Sequence, residues 1–239
     1  MPFANSYLGI YRGYVIDAND PTNSGRVRLI VPQVLGESVT NWAWSIVGIP
    51  VHSKFPYGNF HASTSQTITD PTAAYNVKID TDDGSNFIFL DDTVPTNTHI
   101  HVKYAGVYNI QFSAQFSNSS PPIANANIWI RVNGVDIPAS TGQLTVPGKH
   151  GNINGQLVSS WNYLTKLNAN DYVEFMWQAE STSVFMEFIA AGTTPVTPVS
   201  PSFAVTFTLA GGYTPLAGDP CWVMFEGGDP NFPLWLGTF

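Results

Sequence analysis

Two stretches, GYVIDANDPTNSGRVRLIVP at 13–32 and GDPCWVMFEGGDPNFPLWLG at 218–237, decide how this chain is read. In the first, Val27, Leu29 and Val31 alternate with Arg26, Arg28 and Ile30, the period-2 pattern of a strand with one buried face. A strand before it is expected from about Leu8 to Asp17. Between them Asn19-Asp20-Pro21-Thr22-Asn23-Ser24-Gly25 carries turn chemistry: Pro21 presets φ, Asp and Asn side chains bond nearby backbone, and Gly25 tolerates positive φ. The second stretch repeats the plan. Cys221, Val223 and Phe225 alternate with Trp222, Met224 and Glu226, and Gly227-Gly228-Asp229-Pro230 then turns the chain into Leu234-Trp235-Leu236. Neither hairpin has enough strands to bury its Trp-rich faces alone. The reading is therefore one discontinuous small barrel from residues 1–60 and 213–239, a linker at 61–71, and an insertion at 72–211.

Composition sets limits on class. The chain has 239 residues, of which 44% are hydrophobic and only 11% charged, with 20 Gly, 18 Pro and 13% aromatics. That balance suits an all-β protein with many tight turns, and no long helical period interrupts it. The formal net charge of −8 opposes binding to phosphate-rich partners. The single cysteine, Cys221, lies in an apolar alternation and reads as a small buried hydrophobe. Residues 1–14 lack a basic n-region and a continuous apolar run, so no signal peptide is expected. Residues 188–218 carry no charge, yet Pro195, Pro198, Pro201 and Pro215 break them, so a soluble chain without membrane insertion is expected.

The insertion reads as a succession of strands: 75–79, 87–90, 99–102, 106–116, 126–132, 172–179 and 203–209. Asn133-Gly134 after Ile128-Trp129-Ile130-Arg131-Val132 is a strong hairpin signal, because both central turn positions want positive φ. Asp82-Asp83-Gly84 reads as another turn, and Trp161 with Tyr163 reads as part of a long loop. Many short strands between turn clusters predict a sandwich.

Both parts carry a family resemblance. The terminal motifs resemble the oligonucleotide/oligosaccharide-binding (OB) barrel of phage baseplate hub and spike proteins, shared with type VI secretion spikes. The positions that match are Gly13, Val15, Asn19, Asp20, Pro21, Gly25, Arg26, Val27, Pro32, Trp42 and Ala43 at one end. At the other they are Trp222, Val223, Phe225, Glu226, Gly228, Asp229, Pro230, Pro233, Trp235, Leu236 and Gly237. The insertion resembles the tumour necrosis factor and complement-type jelly rolls of phage particle proteins. It does so through Gly106-Val107-Tyr108-Asn109-Ile110, Ser113-Ala114-Gln115, residues 129–134 and residues 167–174, with Pro201-Ser202 before the last strand. Where that family has Gly-Asp, this chain has Asn170-Asp171, and Asn can replace Gly at such a turn. The resemblances imply an OB barrel interrupted by an antiparallel jelly-roll β-sandwich, and a homotrimer held by apolar and aromatic contacts.

Several constellations invite chemistry. Arg12, Arg26 and Arg28 near Trp42 and Trp44 are the groups with which an OB barrel grips single strands, but facing Asp17 and Asp20 they also read as a solvated strand edge. His99 and His101 share one strand face, and three copies about an axis would offer six imidazoles to iron, as phage spike tips resemble; ordinary polar strand residues are the alternative. Asp80, Asp82, Asp83, Asp91 and Asp92 form the densest carboxylate region, without the spacing or bidentate Glu of an EF-hand loop. No G-x-S-x-G, H-E-x-x-H or phosphate-cradling Gly loop is present, so neither an enzyme nor a cofactor is expected. Phe55, Tyr57 and Phe60 before the insertion, with Trp161 and Tyr163 inside it, are candidates for stacking on sugars or on a neighbouring subunit.

The expectation is a virion structural protein assembled in the host cytoplasm. It is read as a trimeric tail or baseplate hub component whose partners are itself and other tail proteins. A receptor-binding adhesin that grips host glycan through the insertion is the alternative. The chain ends two residues after Gly237, so no needle and no membrane puncture by this chain alone are expected.

Overall fold

The computed structural model describes residues 6–22, 24–46, 51–52, 55–91 and 98–239. Asn23 and Asp92, named above, lie outside the described residues. The described chain is all-β: its helices are the four-residue Pro32–Leu35, with proline in the first turn where a missing N–H costs nothing, and the turn Glu226–Gly228. It divides into two compact units. One comprises Met1–Phe55, Tyr104–Val107 and Leu209–Phe239, the other Pro56–Lys103 and Tyr108–Thr208.

The terminal unit is built on a sheet with the order Arg28–Ile30, Tyr11–Asp17, Pro220–Phe225, Pro233–Thr238, Trp44–Ser45, and Val51–His52 also pairs with Pro233–Thr238. Segments from the two ends of the chain therefore sit side by side. Gly13 opposes Cys221, and a Cβ at Gly13 would lie 2.9 Å from the Val223 side chain, which is why the smallest residue stands there. An antiparallel bridge between Val27 and Ala43, with N···O distances of 3.1 and 2.7 Å, joins the two edges of this order, so no long edge is left open. The alternating residues do what their period predicts. Val15, Val27, Leu29, Val31, Ala43, Cys221, Val223, Phe225 and Trp235 form one buried cluster, to which both hairpins contribute.

The second unit is a sandwich of two seven-stranded sheets. One is centred on Ala124–Val132, Tyr172–Ala179 and His99–Val102, the other on Ala105–Asn118, Phe203–Thr214 and Tyr57–Ala62. Aromatic rings from the two inner faces meet. Phe175 of one sheet lies 5.0 Å from Phe112 and 4.9 Å from Phe203 of the other, and Trp177 lies 6.0 Å from Phe116. All five rings are buried, and such tilted contacts add about 0.5–1.5 kcal/mol per pair beyond burial. The Asn133-Gly134 hairpin forms as read, with φ of 50° and 77° and Val132 opposite Val135. Asn170 likewise takes φ 67°.

Four details differ from the sequence reading. Tyr57–Ala62 pairs with Phe203–Thr208 in the sandwich, so residues 56–60 leave the terminal unit. The stretch read as a linker, 61–71, is tied into the same sheet: Gln66 opposes Met186, and its side-chain amide bonds Lys78 O and Ser202 Oγ. Asp82-Asp83-Gly84 lies within the strand Thr81–Asn86, where Asp82 accepts the Gly84 N–H at 2.8 Å. That local bond mimics a turn, but the strand runs on through it with Asp83 as the extra residue of a bulge, since Gly84 opposes Asn59 and Asp82 opposes Phe60. Residues read as a long loop form the 13-residue strand Gly155–Leu167. Its alternation was masked because Ser159 and Thr165 share the inward side while Val158 and Leu164 are exposed.

Candidate functional site

The motif residues of the terminal unit are spent on turns and core. Asp20 organises its loop: its carboxylate accepts the N–H groups of Thr22 at 3.0 Å and Ser24 at 2.8 Å, and Arg26 Nη2 at 2.6 Å. The side chain of Asp20 is only 3% exposed, and the Arg26 bond, above all, holds it well below the ordinary carboxylate range. Pro21 and Gly25, the latter at φ 73°, complete the bend. Arg26 in turn lies over the rings of Trp44 and Trp42, at 5.1 and 5.6 Å. Arg28 donates to Thr40 O, and Arg12 lies 5.5 Å over Trp222. The three arginines are therefore each engaged within the protein.

The second motif is equally structural. Gly227 and Gly228 take φ of 60° and 76°, and a Cβ on Gly228 would lie 2.4 Å from Ser6 Oγ. Glu226 N–H donates to Phe232 O, and buried Asp229 accepts the N–H and side-chain amide of Asn231, both at 2.9 Å, around Pro230. Val27, Phe225 and Trp235 are core. Gly237, at φ 147°, sits opposite Trp222 where the two final strands shift register. Cys221 is buried and its thiol is pushed up to about 12, mainly by desolvation, which removes it as a nucleophile at neutral pH.

What remains available on this unit is the outward side of its sheet. Arg12 stands opposite Trp222, and Tyr14 opposite both Pro220 and Ile30, so these side chains share one face. That face exposes Ile10, Tyr14, Ile16 and Trp222, with the Phe239 ring tilted against Trp222 at 4.7 Å and Trp44 at the far strand. Apolar groups in a row outside an already filled core make this face the candidate contact surface.

The ionisable clusters of the sandwich do not converge. His99 stacks on Tyr172 at 4.0 Å with Nε2 3.6 Å from Glu174, while His101 lies parallel to Phe89 at 5.2 Å, with Asp91 3.9 Å away. Burial first, then the neighbouring His99, lowers the His101 imidazole below its ordinary value. The two imidazoles thus act as stacking plates, and among the described residues no three His, Cys, Asp or Glu are placed to hold a metal. Asp80 accepts Ser63 N and Oγ, Asp82 accepts Ser85 Oγ, and Asp83 bonds His61 Nδ1. Each carboxylate looks to its own partner.

Of the aromatics expected to be exposed, Phe55 and Tyr57 are, but Phe60 is core. Trp161 packs inward on Phe112, with Gly142 pressed against its indole, and Tyr163 donates its hydroxyl to Ser140 O. The sequence reading missed a shallow groove of about 470 Å³ on the outward side of the sandwich, lined by the polar Gln111, Ser113, Ser160, Asn162 and Thr206 and the apolar Phe112, Trp161 and Val205. Its residues come from three strands far apart in sequence, and no local pattern marks them. No family model and no curated protein sequence matches this chain.

Proposed function

We propose that this chain is a structural component of a virus particle, of the phage tail or baseplate hub kind, working as a homotrimer by contact rather than by chemistry. The observation that carries the reading is the outward apolar face of the terminal unit, Ile10, Tyr14, Ile16, Trp222 and Phe239, on a sheet whose other side already holds a complete core. A monomer gains nothing by exposing that row, whereas burying it against a second chain gains about 25 cal/mol per Å². The motifs that resemble hub and spike barrels lie in the same unit, so that unit is the docking part and the sandwich the elaboration. On this reading the OB-like barrel and the jelly-roll-like sandwich are the two modules of one particle protein.

The test is the native mass together with particle incorporation. The wild-type protein is expected at three times its 26.0 kDa chain mass by light scattering, with little dependence on salt because apolar groups hold it. A monomer at micromolar concentration that tail proteins leave unchanged would overturn the proposal.

A further inference from the structure

The groove of the sandwich has chemistry unlike that of the docking face. Gln111 and Ser113 from Ala105–Asn118, Ser160 and Asn162 from Gly155–Leu167, and Thr206 from Phe203–Thr214 converge on it. Among the described residues, none of these five side chains has a hydrogen-bond partner in the protein. Their neighbour on the same strand face shows the contrast: Gln115 accepts from Ser200 Oγ at 2.8 Å and donates to Glu187 O at 3.0 Å. Two positions before Gln111 on that face, Asn109 keeps its Oδ1 shielded from solvent with no partner, an arrangement that native proteins rarely leave without a reason.

The lining selects its ligand by exclusion and by match. It contains no ionisable group, so nothing balances a charged ligand. Its apolar members, Phe112, Trp161 and Val205, do not project as anchors for a protein interface: Phe112 and Val205 are buried, and Trp161 packs inward on Phe112. It also lies on the face of paired strands, whose backbone groups are used in the sheet, so it offers a peptide no edge to pair with. What it does offer is two amides, each with donor and acceptor side by side, and three hydroxyls. That set matches the adjacent hydroxyls of a sugar ring, which both donate and accept. The next strand outward sets Asn59 opposite Thr206 and half-exposed Tyr57 opposite Thr208, about 14 Å or three strand spacings from the strand of Ser160 and Asn162. The exposed ring supplies an apolar plate for the C–H side of a second pyranose.

We propose that this groove is a binding site for an uncharged saccharide of two or three rings. The proposal does not rest on the docking reading, since it uses another unit and other chemistry. The experiment titrates the intact protein with maltotriose, cellotriose and chitotriose, and with sialyllactose as the charged control, by saturation-transfer NMR and calorimetry. At least one neutral trisaccharide should bind saturably, and sialyllactose no better. Gln111→Ala and Asn162→Ala should each weaken that binding about tenfold, the loss of a hydrogen-bonding side chain worth about 1.4 kcal/mol, with unchanged thermal melting. Ser113→Trp, which fills the groove, should abolish it. No saturable binding of any neutral probe, tighter binding of the charged one, or affinity that survives all three substitutions would each overturn the proposal. Native mass, read on the same samples, reports separately on the docking reading.

Discussion

The two units use their sheets in opposite ways. The sandwich is apolar within and mixed without: Phe112, Phe175 and Phe203 meet inside, while Gln111, Ser113 and Thr206 alternate with them to the outside, where Val158 and Leu164 stand as isolated apolar groups. The terminal unit carries apolar groups in a row on both sides, with Val223 and Trp235 within and Ile16, Tyr14 and Trp222 without, beside Arg12, which lies over Trp222. Folding explains an inner apolar face in either unit, but it does not explain an outer one. The comparison therefore separates residues that the fold uses from residues that it leaves outside, and under the proposed function the latter, in the terminal unit, are the contact between chains.

The comparison is broken most severely if the two interiors are not alike. Phe175→Ala in the sandwich and Trp235→Ala in the terminal unit each remove a fully packed ring, and each should cost about 3–5 kcal/mol in denaturant unfolding. A cost below about 1 kcal/mol for Trp235→Ala would mean that the terminal core is not sealed, and the outward apolar face would then have to be counted as part of folding. Next in size come the outer faces, which should respond differently. Trp222→Ser with Ile16→Ser should weaken self-association at least about 30-fold by light scattering, as loss of a central anchor does, while the melting of the monomeric units hardly moves. Gln111→Ser with Thr206→Ser on the sandwich should leave native mass untouched. Equal effects from the two pairs would erase the distinction.

How far this could be read from the chain depended on how local the signal is. The terminal hairpins were legible because one alternation, Val27, Leu29, Val31 and Cys221, Val223, Phe225, names both the strand and its buried side. Asn133 and Asn170 were legible for the same reason, since a single residue type reports the positive φ it adopts. Gly155–Leu167 was not, because Ser159 and Thr165 face inward where Trp161 and Tyr163 already fill the space, and the binary pattern blurs. Phe60 looked like a loop aromatic until its strand paired with Phe203–Thr208. The groove could not be read at all. Polar residues on the outward side of three separate strands are unremarkable until the sheet brings them together.

The smallest expected effect concerns Asp20, and it sharpens the claim that the motif loop is scaffolding rather than a binding site. Its carboxylate is held below the ordinary value of 3.8, chiefly by Arg26 and further by the N–H groups of Thr22 and Ser24. A carboxylate whose folded pKa is depressed binds fewer protons when folded than when unfolded, so its stabilisation is complete above the unfolded value and shrinks as pH falls through the range below it. Asp20→Asn should therefore lower the melting temperature at pH 7, and that deficit should begin to shrink as pH falls through about 4 to 3, where the unfolded chain's carboxylate takes up its proton and the folded one does not. Other depressed carboxylates, Asp70 and Asp136, titrate in both proteins alike, so the difference between the two melting curves isolates Asp20. Arg26→Lys should give a deficit of the same sign, because an ammonium keeps the charge but neither the forked bonds to Asp20 nor the flat stack on Trp42 and Trp44. A deficit that stays constant from pH 7 to pH 3 would show that the loop is held by its backbone turn alone, with the ion pair a bystander.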